Sequence, residues 1–111
     1  MSTTRQNKVA RLVQRDLSDI FQKNARSILP GKMVTVTTVR MSPDLSVAKT
    51  YLSIFPSNSL KEDLKKVKDH AGFIRRELGI RAKNQLRIIP ELAFFVDDSL
   101  DYMENIDNLL K

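Results

Sequence analysis

The chain contains no cysteine and only one histidine, His70. Disulfides, thiolate zinc sites and cysteine nucleophiles are therefore excluded, and a histidine-based metal or catalytic cluster lacks its second member. The absence of cysteine suits a reducing cytoplasm. Glycine is nearly as scarce: Gly31, Gly72 and Gly79 are too scattered to cradle a phosphate, and neither G-x-x-x-x-G-K-[ST] nor G-x-G-x-x-G occurs. No apolar run approaches the roughly 20 residues of a membrane span. The first ten residues are polar and basic, without the apolar stretch of a secretory signal. Acid is thinly spread over most of the chain. Residues 1–87 hold 18 Lys/Arg against 7 Asp/Glu, net +11, whereas residues 88–111 set Lys111 against six acids, net −5.

What is present is an ordinary globular balance, 41% hydrophobic and 29% charged over 111 residues, which fits one domain spanning 1–111. Internal repeats, linkers and low-complexity segments are missing. A long basic body with a short acidic end describes a polyanion-binding surface with a solvated tail; it equally describes a soluble protein of high pI with no such role.

From about Thr3 to Ser27, Val9, Val13, Leu17, Ile20 and Phe21 share one face at helical spacing, and Lys8, Arg11, Arg15 and Arg26 fall on a separate arc. Pro30-Gly31 stops this helix. Met33 to Met41 is rich in β-branched residues, and its apolar phase slips between Val36 and Val39, which predicts a bulge or a change of face. Ser42-Pro43-Asp44 is a turn, and Val47 to Phe55 alternates as a second strand, with Ala48, Leu52 and Ile54 on one face and Tyr51 and Phe55 on the other. Ser59 and Glu62 form a capping box that starts a helix near Leu60. Leu60, Leu64, Val67, Ala71, Ile74 and Leu78 then step by four and three along one stripe, and Gly72 predicts a break between two helices. Leu86, Ile88, Leu92, Phe94 and Val96 suggest a third strand, where Pro90 demands an edge, a bulge or the strand's beginning. Asp97-Asp98-Ser99 caps a short final helix carrying Leu100, Met103, Ile106 and Leu110. The order is α-β-β-α-(kink)-α-β plus a terminal helix. That is an α+β, type II KH-like domain with a three-stranded sheet covered by helices on one face.

Little here carries bond-making chemistry. His70 sits on the polar side of its helix and reads as a solvated or helix-end residue, and Asp97-Asp98 reads as a cap before it reads as an acid–base pair. No enzyme, metal or cofactor is expected. The basic residues remain. Lys61, Lys65, Lys68, Arg75 and Arg76 lie along one flank of the apolar stripe, Arg81, Lys83 and Arg87 follow, and Arg5, Lys8, Arg11 and Arg15 belong to the opening helix. Packed on one side of a sheet, these would form one cationic surface for RNA phosphates, giving affinity and salt dependence but little sequence reading. Aromatic platforms are less evident: Phe21, Phe55, Phe94 and Phe95 sit in core-like patterns, and Phe73 and Tyr51 are left open.

Four stretches, in order, resemble the ribosome-binding factor A family. Met41 to Lys49 is similar to its S-x-D-L-x-x-A-K turn and strand, and Gly72 to Arg75 to its G-F-I-R at the helix kink. Leu86 to Phe94, followed by Asp98-Ser99, is similar to its L-R-x-x-P-E-L-x-F…D-x-S strand, and the opening helix and Leu109-Leu110 fit as well. The resemblance implies a KH-like fold whose G-x-x-G loop is replaced by an A-x-G kink, here placed at His70, Ala71 and Gly72. It further implies a non-enzymatic cytoplasmic monomer that avoids membranes. Such a protein binds the small ribosomal subunit and its rRNA late in maturation, supports processing of that rRNA, is needed in the cold and works alongside assembly GTPases. Two departures stand. The alanine of A-x-G is not in its expected place, and the stretch from Gly79 to Leu86 is long. A dormancy or general RNA-chaperone module and a protein–protein adaptor are the competing readings.

Overall fold

The computed structural model describes residues 3–97; the expected terminal helix, with Leu100, Met103, Ile106 and Leu110, lies outside them. The elements run α1 (Thr4–Ile28), β1 (Met33–Met41), β2 (Val47–Phe55), α2 (Leu60–Asp69), α3 (Ala71–Ala82) and β3 (Glu91–Val96). This is the expected order. Thr3 opens α1 with a capping box: its side chain accepts from the Gln6 N–H at 3.1 Å while the Gln6 side chain accepts from the Thr3 N–H at 2.8 Å. Asn24 departs from helical dihedrals inside α1, and its side-chain amide donates to the Ile20 carbonyl at 2.8 Å, a local competitor for the helix ladder. Past the helix end, Gly31 takes the positive φ of +76° that the reversal into β1 requires.

The sheet order is β1-β2-β3, with β1 antiparallel and β3 parallel to β2. The parallel pairing follows from connectivity, because α2 and α3 form a crossover long enough to return the chain to the starting end of β2. The phase slip in β1 is a bulge, its register shifting between Val36 and Thr38. The extra residue, Thr37, donates through Oγ1 to the Tyr51 carbonyl at 3.2 Å and also reaches Asp97, while Gln14 of α1 donates to the Val36 and Thr37 carbonyls, each at 3.2 Å. The bulge is thus tied to the helix above it and the strand beside it.

Helices cover one face of this sheet. Val13, Leu17, Ile20 and Phe21 of α1 meet Val36, Val39, Ala48, Leu52 and Phe94 from the strands and Ile74 and Leu78 from α3 in one cluster. Phe21 and Phe94 pack edge to face at 6.2 Å. Each large side chain here contributes about 1.5–3 kcal/mol by leaving water. The other face is uncovered among the described residues, and that corrects two expectations. Phe55 is 75% exposed and Phe95 41% exposed, because strand alternation turns both away from the helices. The third strand also starts later than its apolar pattern suggests: Leu86 to Pro90 is irregular, Ile88 is 71% exposed, and buried Pro90 stands immediately before Glu91. Proline's missing donor explains why pairing begins only after it.

The helix break falls at His70, not at Gly72. His70 has φ −97° and ψ 10°, ending α2 and opening α3, and its Nδ1–H donates to the Lys66 carbonyl at 2.8 Å. Gly72 lies inside the first turn of α3, where an added Cβ would meet nothing within 4 Å. A kink does not require Gly72 when His70, two residues earlier, makes the turn. Gly72→Ala is therefore expected to leave the fold unchanged and raise stability by about 0.5 kcal/mol in urea denaturation. A measured loss would show that the bend uses glycine's extra freedom.

Candidate nucleic-acid interface

The cationic residues sort into three groups by what their side chains touch. The first stands free. Lys8 and Arg11 on α1, and Arg76 on α3, are exposed opposite the buried stripes of their helices, and Lys83 is exposed at the C-cap of α3. None of these four has a hydrogen bond or ion pair among the described residues. Arg15 extends the α1 ridge, with Nε 3.5 Å from Asp16. Lys65 and Lys68 are exposed on α2, which packs against β3.

A second group is built into the fold. Arg81 forms an ion pair with Asp19 of α1, which also receives Lys23 at 3.2 Å. The Asp19 carboxyl is held below its usual range, first by the hydrogen bond from Lys23 and then by Arg81. Arg81 therefore works as a strut between α1 and α3. Arg75 donates through Nη2 to the Ile89 carbonyl at 2.9 Å and through Nε to the Pro90 carbonyl at 3.2 Å, fastening the segment that leads into β3. Reversing its charge would cost those bonds, so Arg75 is not a surface-only position; Arg76 is.

The free cations of the first group lie on the two helices that this strut joins. With Arg81 joining α1 to α3 over a shared core, the two helices lie side by side on one face of the sheet. Lys8, Arg11 and Arg15 stand on the outer face of α1, and Arg76 and Lys83 on the side of α3 away from its buried residues. Exposed Phe73 and Ile80 interleave with Arg76 on the outer face of α3.

Arg5 and Arg87 form the third group. They line one hollow where the first turn of α1, the β1–β2 turn and the segment before β3 meet. Arg40 and Lys49 are a pair that the sequence reading does not single out. They face each other across the β1–β2 register, both exposed on the uncovered side of the sheet. Their alternation against buried Val39, Met41, Ala48 and Thr50 is the available signal.

Of His70, Ala71 and Gly72, the first makes the turn between α2 and α3, and Gly72 borders an open hollow with Arg75, Arg76, Gly79 and Ile89. Among the described residues no group of His, Asp or Glu could hold a metal ion, and no helix is long and apolar enough to cross a membrane. The arrangement can bind polyanions by charge.

Residues 5–110 match the family model of ribosome-binding factor A. Ribosome-binding factor A of Cytophaga hutchinsonii is 46% identical over 110 residues, covering 99% of this chain and 83% of the relative. The crystal structure of ribosome-binding factor A from Thermus thermophilus superposes with a TM-score of 0.68 at 23% identity, over 82% of this chain and 94% of that one. A Thermus thermophilus homology model fitted into the cryo-EM map of a 30S–ribosome binding factor A complex gives 0.65 at 24% identity, over 80% and 91%. At such identities the structural likeness shows the shared KH-like fold.

Proposed function

The chain belongs to the ribosome-binding factor A family, and from that premise we propose that it docks on the rRNA of the small ribosomal subunit late in maturation. In this reading it supports processing of that rRNA, above all in the cold, and then leaves, acting as a cytoplasmic monomer beside assembly GTPases. The observation that carries the proposal is that Lys8 and Arg11 on α1 and Arg76 and Lys83 on α3 are exposed without a partner among the described residues, and in this reading they act as one surface. Gathered cations repel one another until an opposing charge arrives, and a phosphate backbone supplies that charge by releasing its counterions. The family's Thermus thermophilus member fitted into a 30S complex supports the choice of the small subunit as the source of those phosphates. The chain has no G-x-x-G clamp for a single strand, so charge and shape across helix faces do the binding, as suits a factor that must be released.

Cosedimentation with immature and mature small subunits tests this. The expected result is preferential association with the immature particle that falls steeply as salt rises. Equal binding to both particles would instead favour a dormancy or general chaperone role.

One observation favours a second reading. Met33 and Phe55 face each other across β1 and β2 and are both largely exposed, and Tyr51 stacks on Phe95 at 5.3 Å, all on the uncovered sheet face. Such an apolar face suits a protein partner. Association through it would persist at high salt, and association through the helices would not.

A further inference from the structure

The hollow shared by Arg5 and Arg87 has a volume of about 190 Å³ and walls of mixed chemistry. Val9, Leu45, Leu86 and Ile88 provide apolar surface, the two arginines provide positive charge, and Asp44 provides negative charge. Three segments distant in sequence build it.

Arg5 is placed against local preference. It lies in the first turn of α1, which contains no acid, so its guanidinium shares the positive end of the helix dipole. Neither Arg5 nor Arg87 has a hydrogen bond or ion pair among the described residues. An anion seated between them relieves that repulsion.

Asp44 asks for something different. Its Oδ1 accepts from the Ser42 hydroxyl at 2.7 Å, the Ser46 hydroxyl at 2.7 Å and the Ser46 N–H at 3.1 Å, which uses that oxygen fully. The hydrogen bonds from Ser42, then Ser46, hold its carboxyl at about 2, so the group is ionised at neutral pH. None of these three bonds goes to Oδ2, and Asp44 is exposed and lines the hollow, so Oδ2 is a pure acceptor at its wall. The same turn holds Leu45 at φ +63°, unusual for a leucine, and presents its side chain to the hollow. Ile88, left exposed by the late start of β3, adds a second apolar wall.

The ligand that fits carries an anion, a flat apolar body and an N–H donor. On the RNA-binding reading above, we propose that this hollow takes one unpaired RNA nucleotide whose base bears an exocyclic amino group. The phosphate lies on Arg5 and Arg87, the base lies against Leu45, Leu86 and Ile88, and the amino group donates to Oδ2 of Asp44. Uracil presents a carbonyl where cytosine presents its amino group, which would set acceptor against acceptor.

Short oligocytidylate and oligouridylate, with binding followed by fluorescence anisotropy on the full chain at fixed low salt, test the inference. Oligocytidylate is expected to bind about tenfold more tightly, the size of one good polar contact to a base edge. Asp44→Asn, able to donate as well as accept, should bring the two within about twofold of each other. Arg87→Glu should weaken both by a similar factor and keep their ratio. Should Asp44→Asn unsettle the turn, Ile88→Glu at an exposed position serves instead and should also abolish the preference. Equal binding of the two oligomers to the unmodified chain, or a preference that survives both substitutions, overturns the base-reading hollow. Salt-dependent association with small subunits in the same preparations would then still stand. Its loss as well would remove the RNA reading itself.

Discussion

Replacing Lys8, Arg11 and Arg76 together with glutamine is expected to weaken association with the small subunit about a hundredfold at physiological salt. Each substitution removes one phosphate contact, so the slope of log affinity against log salt should fall by about three. The fold should survive. All three side chains are exposed and lack partners among the described residues, glutamine is a good helix former, and surface changes of this kind stay within about 0.5 kcal/mol each. Arg15 is left alone because it lies beside Asp16. The comparison that matters is between the α1 pair and Arg76 alone. If both lower the slope in proportion to the charges removed, the outer faces of α1 and α3 act as one surface. A slope that ignores Arg76 confines the contact to α1, and an unchanged slope in the triple variant removes the shared ridge from the interface.

The second large effect concerns stability. Lys32, in the turn after α1, donates to both carboxylate oxygens of Asp63 in α2 at 2.7 Å, and Ser57 donates to the same group. The Asp63 side chain is only 3% exposed. Lys32→Met leaves a buried carboxylate without its cation and should cost about 3 kcal/mol, seen as a lower urea midpoint at neutral pH. Lys32→Met combined with Asp63→Leu should recover much of that loss, since an apolar pair leaves no charge to desolvate. The pH dependence follows from the direction of the shift. The hydrogen bond from Lys32, then that from Ser57, pulls the Asp63 carboxyl below its ordinary value. Its contribution is therefore complete above the unfolded value of about 3.9 and disappears as pH falls through the lower folded one. Without Lys32 the main lowering cause is gone while burial, which raises the value, remains. The stability gap between Lys32→Met and the unmodified chain should therefore narrow as pH falls below about 4, because protonation removes the buried charge that Lys32 offset. A variant as stable as the parent, with the same acid profile, would mean that the pair contributes nothing net.

This ion pair also bears on function. It joins the end of α1 to the start of α2, so it holds in place the helix that presents Lys65 and Lys68. Binding assays on Lys32→Met therefore belong below its unfolding transition.

Most elements are legible because their determinants are near neighbours. Leu17, Ile20 and Phe21 fall on one stripe by helical spacing alone, and Ser59 caps α2, its hydroxyl accepting from the Glu62 N–H at 3.3 Å. The slip between Val36 and Val39 shows a bulge before any partner strand is known. The Thr3–Gln6 box is equally written in T-x-x-Q, a local signal that the sequence reading passes over. The break at His70 is displaced from the expected position by two residues, because a glycine inside a helix pattern is a stronger breaker on paper than a histidine. Once α3 packs through Ile74 and Leu78, burial outweighs the propensity cost of Gly72.

For the site, the sequence alone determined which residues are cationic, which helices carry them and that an apolar stripe turns them outward. It could not tell a free cation from an engaged one. Arg81 and Asp19 are 62 positions apart, Lys32 and Asp63 are 31 apart, and Arg75 reaches carbonyls 14 and 15 residues away. The hollow of Arg5, Asp44 and Arg87 likewise exists only where three distant segments meet. Periodicity and capping act within a few residues of backbone and are written in local order. Ion pairing and cavity shape depend on distances between segments, and those distances appear only when the core around Leu17, Leu52 and Ile74 closes and brings the segments together.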